Sequence, residues 1–105
     1  MLVSIYITTE SVEEASKIGE ILVKERLVGC VNILPCLKSI YWWEGKVEYT
    51  DETLMFVKTR RDLLKKVIRR VKKLHSYSNP AILALPILEG NKDYLEWIKY
   101  ETREL

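Results

Sequence analysis

One imidazole and two thiols are the side chains of this sequence best suited to bind a transition metal. His75 is the only histidine, and the two cysteines are Cys30 and Cys36. A single histidine excludes a two-histidine site within one chain, and it excludes catalysis that needs paired imidazoles. Imidazole suits Cu(II) and thiolate suits Cu(I). His75 and Cys30 are therefore the candidate metal ligands, and they could share an ion across a subunit boundary.

The same residues also have structural interpretations. His75 falls at the end of a predicted helix, where the helix dipole favours its positive form, and Cys30 fits a small buried apolar residue. The residues alone favour the structural interpretation for Cys30. Cys36 follows Pro35 at a predicted strand irregularity and is interpreted as structural. Two cysteines with five residues between them fit neither a disulfide scaffold nor a zinc knuckle, and they are typical of a reducing cytosol.

The remaining residues form no pattern that is typical of an enzyme active site. The sequence contains no defensible Ser-His-Asp set, phosphate-binding glycine loop or carboxylate pair. Glu10, Glu13 and Glu14 cluster at a predicted helix start, where acidic side chains complement the helix dipole. We therefore expect a protein without enzymatic activity.

The positive charge is concentrated in one segment. Between Lys58 and Lys73 there are nine basic residues and one acid, Asp62, so this segment carries +8 and the rest of the chain carries −6 of the net +2. Such a segment could neutralise phosphates of a nucleic acid. However, the inner strands lack base-stacking aromatic residues and no helix-turn-helix spacing is present. We expect a solvated basic face without specific nucleic-acid binding.

Length and composition indicate one folded domain over residues 1–105. The chain is 48% hydrophobic and 30% charged, which is typical of a protein with a single core. Uncharged runs such as Leu27 to Leu37 are too short to cross a bilayer, so no membrane insertion is predicted. The absence of Gln, with only three Asn and many charged residues, favours a hyperthermophilic source.

The hydrophobic pattern predicts seven elements that position these side chains. Ser11 and Glu14 form a capping box at the start of helix 1, and Gly45 suits the turn of a long hairpin. The first two elements are a strand over Met1–Thr8 and helix 1, which runs to about Arg26. A long hairpin follows, with one arm over Leu27–Trp43 and a second arm over Lys46–Thr50, which continues as a strand over Thr53–Lys58 across a bulge near Asp51-Glu52. The last three elements are helix 2 from a Thr59 cap to about His75, a strand over Ala81–Leu88 and a helix over Asp93–Glu104. This order predicts an α+β, ferredoxin-like split β-α-β fold with a long β-hairpin and an extra C-terminal helix.

Three consecutive aromatic residues near the hairpin tip indicate an interface. Tyr41, Trp42 and Trp43 point alternately to the two faces of a strand, and two helices can cover only one face of the sheet. An exposed aromatic area of this size is usually an interface, so we interpret the hairpin as an oligomerisation arm. The alternative is a pair of half-exposed tryptophans at a loop tip.

Several motifs then resemble the CutA divalent-cation tolerance family. They are E-R-L-V-G-C-V-N at residues 25–32, S-I-Y-W-W-E-G-K-V-E at 39–48, V-K-T at 57–59, H-S-Y with P-A-I at 75–77 and 80–82, and Gly90 followed by Y-L-E-W-I at 94–98. In order, they cover nearly the whole chain. In this family, the positions of Cys30 and His75 are the ones usually proposed to contact metal. Two departures stand out, because Ser76 replaces a common Pro and Ser78 replaces a common Glu or Asp.

The resemblance implies a cytoplasmic, ferredoxin-like protein that assembles as an intertwined homotrimer through its hairpins. Family members are linked to tolerance of copper and other divalent cations, with no settled enzymatic reaction. It implies weak binding of Cu(2+) or another divalent metal that folding does not require. The alternative is a trimer similar to the PII signalling proteins, with a small ligand bound in clefts between subunits.

Overall fold

Four strands and three helices follow one another in the predicted order, and the computed structural model describes all of residues 1–105. The strands are β1 (Leu2–Thr9), β2 (Cys30–Trp43), β3 (Lys46–Arg60) and β4 (Ile82–Ile87), and the helices are α1 (Val12–Lys24), α2 (Leu64–Leu74) and α3 (Lys92–Glu101). The strands form one antiparallel sheet in the order β2-β3-β1-β4. The predicted α+β, ferredoxin-like fold is confirmed. No helix is both long enough and apolar enough to cross a membrane.

The core lies between one face of the sheet and helices α1 and α2. Strand β1 alternates as predicted, because Val3, Ile5 and Ile7 are buried against the helices. The other core residues are Met55 and Val57 of β3, Ala15, Ile18 and Leu22 of α1, Val67 and Val71 of α2, and Val28. Gly19 allows α1 to lie close to β2, because a Cβ there would stand 2.9 Å from a methyl of Val31.

Helix α1 begins at the predicted cap and ends earlier than predicted. The Ser11 hydroxyl accepts a hydrogen bond from the Glu14 N–H at 3.1 Å, and the Glu14 carboxylate accepts one from the N–H of Glu10, also at 3.1 Å. The reciprocal bond of the capping box is thus displaced by one residue. The helix stops at Lys24 because Arg26 adopts a left-handed φ of 58°, which cannot continue a helix.

The predicted start of helix 2 at Thr59 is wrong. Thr59 lies inside β3, where its buried hydroxyl donates a hydrogen bond to the Leu27 carbonyl at 2.6 Å. A 3-10 turn over Arg61–Leu63 follows, and α2 begins at Leu64 without a side-chain cap. Pairing with β1 extends β3 to Arg60, so sheet formation overrides the local capping signal.

Two arginines hold the end of α3 against the rest of the domain. Arg26 donates to the Glu101 carbonyl at 3.0 Å, and Arg60 donates to the carbonyl and the hydroxyl of Thr102 at 2.9 and 3.1 Å. These cationic donors satisfy carbonyl groups that a helix C-terminus leaves free. The C-terminal helix is therefore part of the domain.

Strands β2 and β3 extend beyond the sheet as a two-stranded arm, residues 37–52. The two-residue turn has Glu44 at φ 49° and Gly45 at φ 79°, the pattern of a type I′ hairpin. The bulge predicted near Asp51-Glu52 instead lies on the opposite strand: Leu34 pairs with Leu54 and Leu37 with Glu52, so β2 contains an extra residue there. The irregularity predicted at Cys36 is confirmed, since its φ is 67°.

The second face of the sheet and the arm expose apolar side chains. Trp42 is 74% exposed, and Leu83 on β4 is 59% exposed. Helix α3 covers only one end of this face, where the hydroxyl of Tyr94 lies 3.3 Å from Lys58 Nζ. The chain therefore has apolar surface that its own helices leave uncovered.

The hairpin turn provides a test of the observed backbone. Gly45→Ala is expected to destabilise the protein by about 1 kcal/mol, because an L side chain is strained at positive φ. Gly90→Ala is the matched control, since a Cβ there meets Leu95 at an ordinary 3.4 Å. Chemical denaturation of both variants checks this expectation, and equal stabilities would contradict it.

Candidate functional site

A cleft of about 620 Å³ lies between the arm and the loop of residues 75–81. Its aromatic lining comes from Tyr6, Tyr41, Trp42, Trp43 and Tyr77. Its charged lining residues are Lys38 and Glu52, and hydroxyl and amide groups come from Ser39, Ser78 and Asn79. The volume and the mixture of aromatic and polar groups are typical of a small-molecule site.

Glu52 and Tyr77 join the two walls of the cleft. The Tyr77 hydroxyl donates to Glu52 Oε2 at 2.8 Å, and the Glu52 side chain lies at the base of the arm with 9% of the residue exposed. Burial raises the pKa of the Tyr77 phenol, and the hydrogen bond to the negative Glu52 raises it further. Tyr77 therefore stays protonated at neutral pH and fixes the orientation of the carboxylate.

The second charge of the cleft is neutralised within the arm. Lys38 Nζ lies 2.6 Å from Asp51 Oδ1, and both side chains are largely exposed. The hydrogen bond to Asp51 raises the pKa of Lys38. Glu52, in contrast, forms no ion pair.

His75 caps α2 and both of its ring nitrogens are occupied. Nδ1 accepts a hydrogen bond from the Tyr77 N–H at 3.0 Å, and Nε2 lies 2.7 Å from the Thr8 carbonyl oxygen. Because Nδ1 is an acceptor, Nε2 carries the proton and donates a hydrogen bond to the Thr8 carbonyl. The capping position matches the structural interpretation of His75. No free lone pair of His75 is directed at a ligand.

Glu14 holds the loop next to His75. Its Oε2 accepts a hydrogen bond from the Ser76 N–H at 2.7 Å and lies 3.8 Å from His75 Nδ1. Burial alone raises the pKa of Glu14, but the hydrogen bonds from the N–H groups of Ser76 and Glu10 outweigh it, and the pKa lies below its ordinary value. A charged Glu14 thus anchors the loop to α1.

One chain does not bring Cys30 and His75 together. Cys30 pairs with Lys58, whereas Thr8, the partner of His75, pairs with Leu54. Four residues along a strand separate these positions by about 13 Å. The half-buried Cys30 thiol instead lies 3.7 Å from Asn32 Oδ1, and the exposed Cys36 sits in the bulge. No group of three His, Cys, Asp or Glu side chains forms a metal site within the chain.

The basic segment forms an exposed face of α2. Its exposed cations are Lys65, Lys66, Arg69, Lys72 and Lys73, and Arg70 forms a bidentate pair with Glu25. None of these side chains lines the cleft. The expectation that this face lacks specific nucleic-acid binding stays a prediction.

Glu52 and Tyr77 were not among the site residues predicted from the sequence. Both had local signals: Glu52 is an acid directly before the apolar strand segment Thr53–Val57, and Tyr77 follows a helix end. Neither signal indicates that residues 25 positions apart are hydrogen-bonded. The register of the sheet and the loop that follows α2 together place them next to each other.

Comparisons with known proteins agree on one family. The family model described as CutA1 divalent ion tolerance protein matches residues 3–101. The structure is similar to that of the periplasmic divalent cation tolerance protein CutA from Archaeoglobus fulgidus, with a TM-score of 0.95 and 46% identity over 98% of this chain and 100% of that chain. The divalent cation tolerance protein from Thermus thermophilus gives a TM-score of 0.95 and 48% identity over the same shares.

A plant relative is longer than this chain. Protein CutA 1, chloroplastic, from Oryza sativa subsp. japonica is 44% identical over 100 residues, which cover 95% of this chain. The chain spans 56% of the length of that relative. The similarity therefore concerns the domain that the two proteins share.

The raised pKa of Tyr77 predicts a pH dependence of stability. A raised folded-state pKa stabilises the fold fully below the unfolded value of about 10, and this contribution is lost as the pH rises further. The free energy of unfolding should therefore fall more steeply above pH ~10 in the wild type than in Tyr77→Phe. Denaturant titrations across this range check the slope, with the exposed Tyr49→Phe as control. Equal slopes for wild type and Tyr77→Phe would contradict it.

Proposed function

The chain belongs to the CutA1 divalent ion tolerance family, and from this premise we propose that it is a homotrimer that binds copper or another divalent cation weakly in the response to metal ions. The observation that carries the proposal is the family match over residues 3–101. Relatives from Archaeoglobus fulgidus and Thermus thermophilus bear the name divalent-cation tolerance protein CutA.

The uncovered apolar surface supports assembly through the arm. Tyr41 and Trp43 project to one face of the arm and Trp42 to the other, and all three are exposed in the single chain. A two-stranded ribbon is marginally stable by itself in water. Packing of three arms against neighbouring sheets would bury these rings and cover the free strand edges.

The donor positions favour a metal site that more than one subunit completes. His75 and Cys30 are too far apart to share an ion within one chain, so the proposed site pairs His75 of one subunit with Cys30 of another. An ion bound at Nδ1 must displace the Tyr77 N–H, which makes weak binding the expectation. Imidazole and thiolate prefer Cu and Zn to the hard ions Mg and Ca.

A second candidate function is a trimer, similar to the PII proteins, that binds a small organic ligand. The observation that favours it is the cleft of about 620 Å³ with its aromatic lining and the nearly buried Glu52. In an assembled trimer, the cleft would face the neighbouring subunit through the arm. This function requires no ion.

We infer further that the protein has no enzymatic activity and folds without metal. The family is defined by divalent-cation tolerance, and the core consists of apolar side chains.

Two free thiols favour a location in the cytosol, although the Archaeoglobus fulgidus relative is described as periplasmic. The surface ion pairs of a chain without Gln fit a thermophilic source.

The assembly is tested by the mass in solution. Light scattering at micromolar protein should return three times the chain mass of 12.4 kDa. Replacing Trp42 and Trp43 together by Ser should dissociate or unfold the protein, because the loss of each buried aromatic costs about 3–5 kcal/mol. Val23→Ser, on the exposed side of α1, should leave the mass unchanged. A monomer mass for the wild type would refute the proposal.

The metal site is tested by copper titration calorimetry at neutral pH. His75→Ala and Cys30→Ser should each weaken binding, and the double variant should lose less than the sum of the two effects because they act on one ion. Cys36→Ser is the matched control, and Ser78→Glu should tighten binding by adding a carboxylate. The affinity for copper should also fall as the pH is lowered, because protons compete with the metal for His75 and Cys30. Isotherms of His75→Ala that match those of the wild type would remove His75 from the site and favour the small-ligand function.

A further inference from the structure

Glu52 supplies the net charge of the cleft. Lys38, the other charged lining residue, is paired with Asp51 at 2.6 Å, whereas Glu52 has no cationic partner within the chain. Its formal charge of −1 is therefore directed into a cleft whose other lining groups are neutral. A nearly buried, unpaired carboxylate is costly unless something compensates it.

Only one of the two carboxylate oxygens of Glu52 accepts a hydrogen bond from the protein. Oε2 accepts the Tyr77 hydroxyl, and no group of the chain donates to Oε1. No fully buried side-chain oxygen lacks a partner, so Oε1 is partly exposed, and Glu52 lines the cleft. An ionised carboxylate accepts up to about four hydrogen bonds, which leaves acceptor positions for a donor from outside the chain.

The walls beside Glu52 are aromatic. Tyr6 and Tyr41 lie on the same face of the sheet and arm as Glu52, and Tyr77 closes the cleft from the loop. The faces of aromatic rings attract cations, and the attraction grows when both groups are removed from water. The Glu52 carboxylate and the aromatic rings therefore both favour a cationic ligand.

We propose that the cleft binds a small organic cation, a protonated amine attached to a flat apolar group, with its nitrogen at Glu52 and its apolar part against the aromatic walls. The inference rests on the second candidate function, because it names the class of ligand for that cleft. Tyr77 acts as a positioning residue, since its hydroxyl holds Oε2 and leaves Oε1 for the ligand.

Two other ligand classes fit these groups less well. An organic anion would meet the unpaired Glu52, and Lys38 would have to leave Asp51 to compensate. A bare divalent ion would find a single carboxylate, because no third His, Cys, Asp or Glu joins any pair in the chain. Hard ions are usually held by several oxygen ligands.

Three ligands that differ only in charge test the proposal. Benzylamine, benzyl alcohol and benzoate share one ring, and calorimetric titration at neutral pH with EDTA present keeps metal ions out of the comparison. Benzylamine should bind more tightly than benzyl alcohol, and benzoate should bind most weakly. Glu52→Gln should weaken benzylamine binding about tenfold or more, because it removes a charge-assisted hydrogen bond, and should leave benzyl alcohol nearly unchanged. Glu44→Gln, an exposed carboxylate at the arm tip, is the matched control.

The outcomes separate this proposal from the functions on which it draws. Tighter binding of benzoate would overturn the cation class while leaving a ligand function for the cleft. No binding of any of the three at millimolar concentration would overturn both. The ratio of the benzylamine and benzyl alcohol affinities in the wild type is informative even if Glu52→Gln folds poorly, and a ratio near one would overturn the proposal.

Discussion

The length of β3 creates the two-stranded arm, on which the cleft and the proposed assembly depend. It has 15 residues, whereas β1 has eight, and pairing with β1 ends where Thr9 meets Thr53. The remaining residues of β3 pair with β2 alone, so the arm has neither a third strand nor a helix against it. An isolated ribbon needs further contacts for stability. The arm obtains one within the chain, from Tyr77 to Glu52, and the proposed assembly would supply the others.

The bulge in β2 decides which side chains line the cleft. Before it, Val31 and Ile33 pair with Val57 and Met55 and face the helices. Beyond it, the odd-numbered residues of β2 pair with even-numbered residues of β3 and face the opposite side. A change of one residue in register exchanges the two faces of a strand, so the bulge directs Tyr41 toward the cleft.

Local patterns of the sequence were sufficient for the fold but not for the site. Alternation in β1, the Ser11 cap and the glycine turn at Gly45 each involve neighbouring residues, and the structure confirms them. The predicted start of α2 at Thr59 was wrong because this residue pairs with β1 as part of the sheet. The Glu52–Tyr77 bond could not be predicted, since it depends on the register, on the bulge and on the loop that follows α2.

Two serines in the loop after α2 stand where the family pattern quoted above commonly has proline and an acid. The Ser76 N–H donates to Glu14 at 2.7 Å, a bond to α1 that a proline at this position could not form because it has no N–H. Ser78 lines the cleft without adding charge, which leaves Glu52 as its only acid. His75 connects the two effects, because its Nδ1 accepts the Tyr77 N–H and thereby holds the loop that places Tyr77 on Glu52. At the proposed metal site, an ion bound to Nδ1 would release this bond, so metal binding and an ordered cleft would compete for the same lone pair.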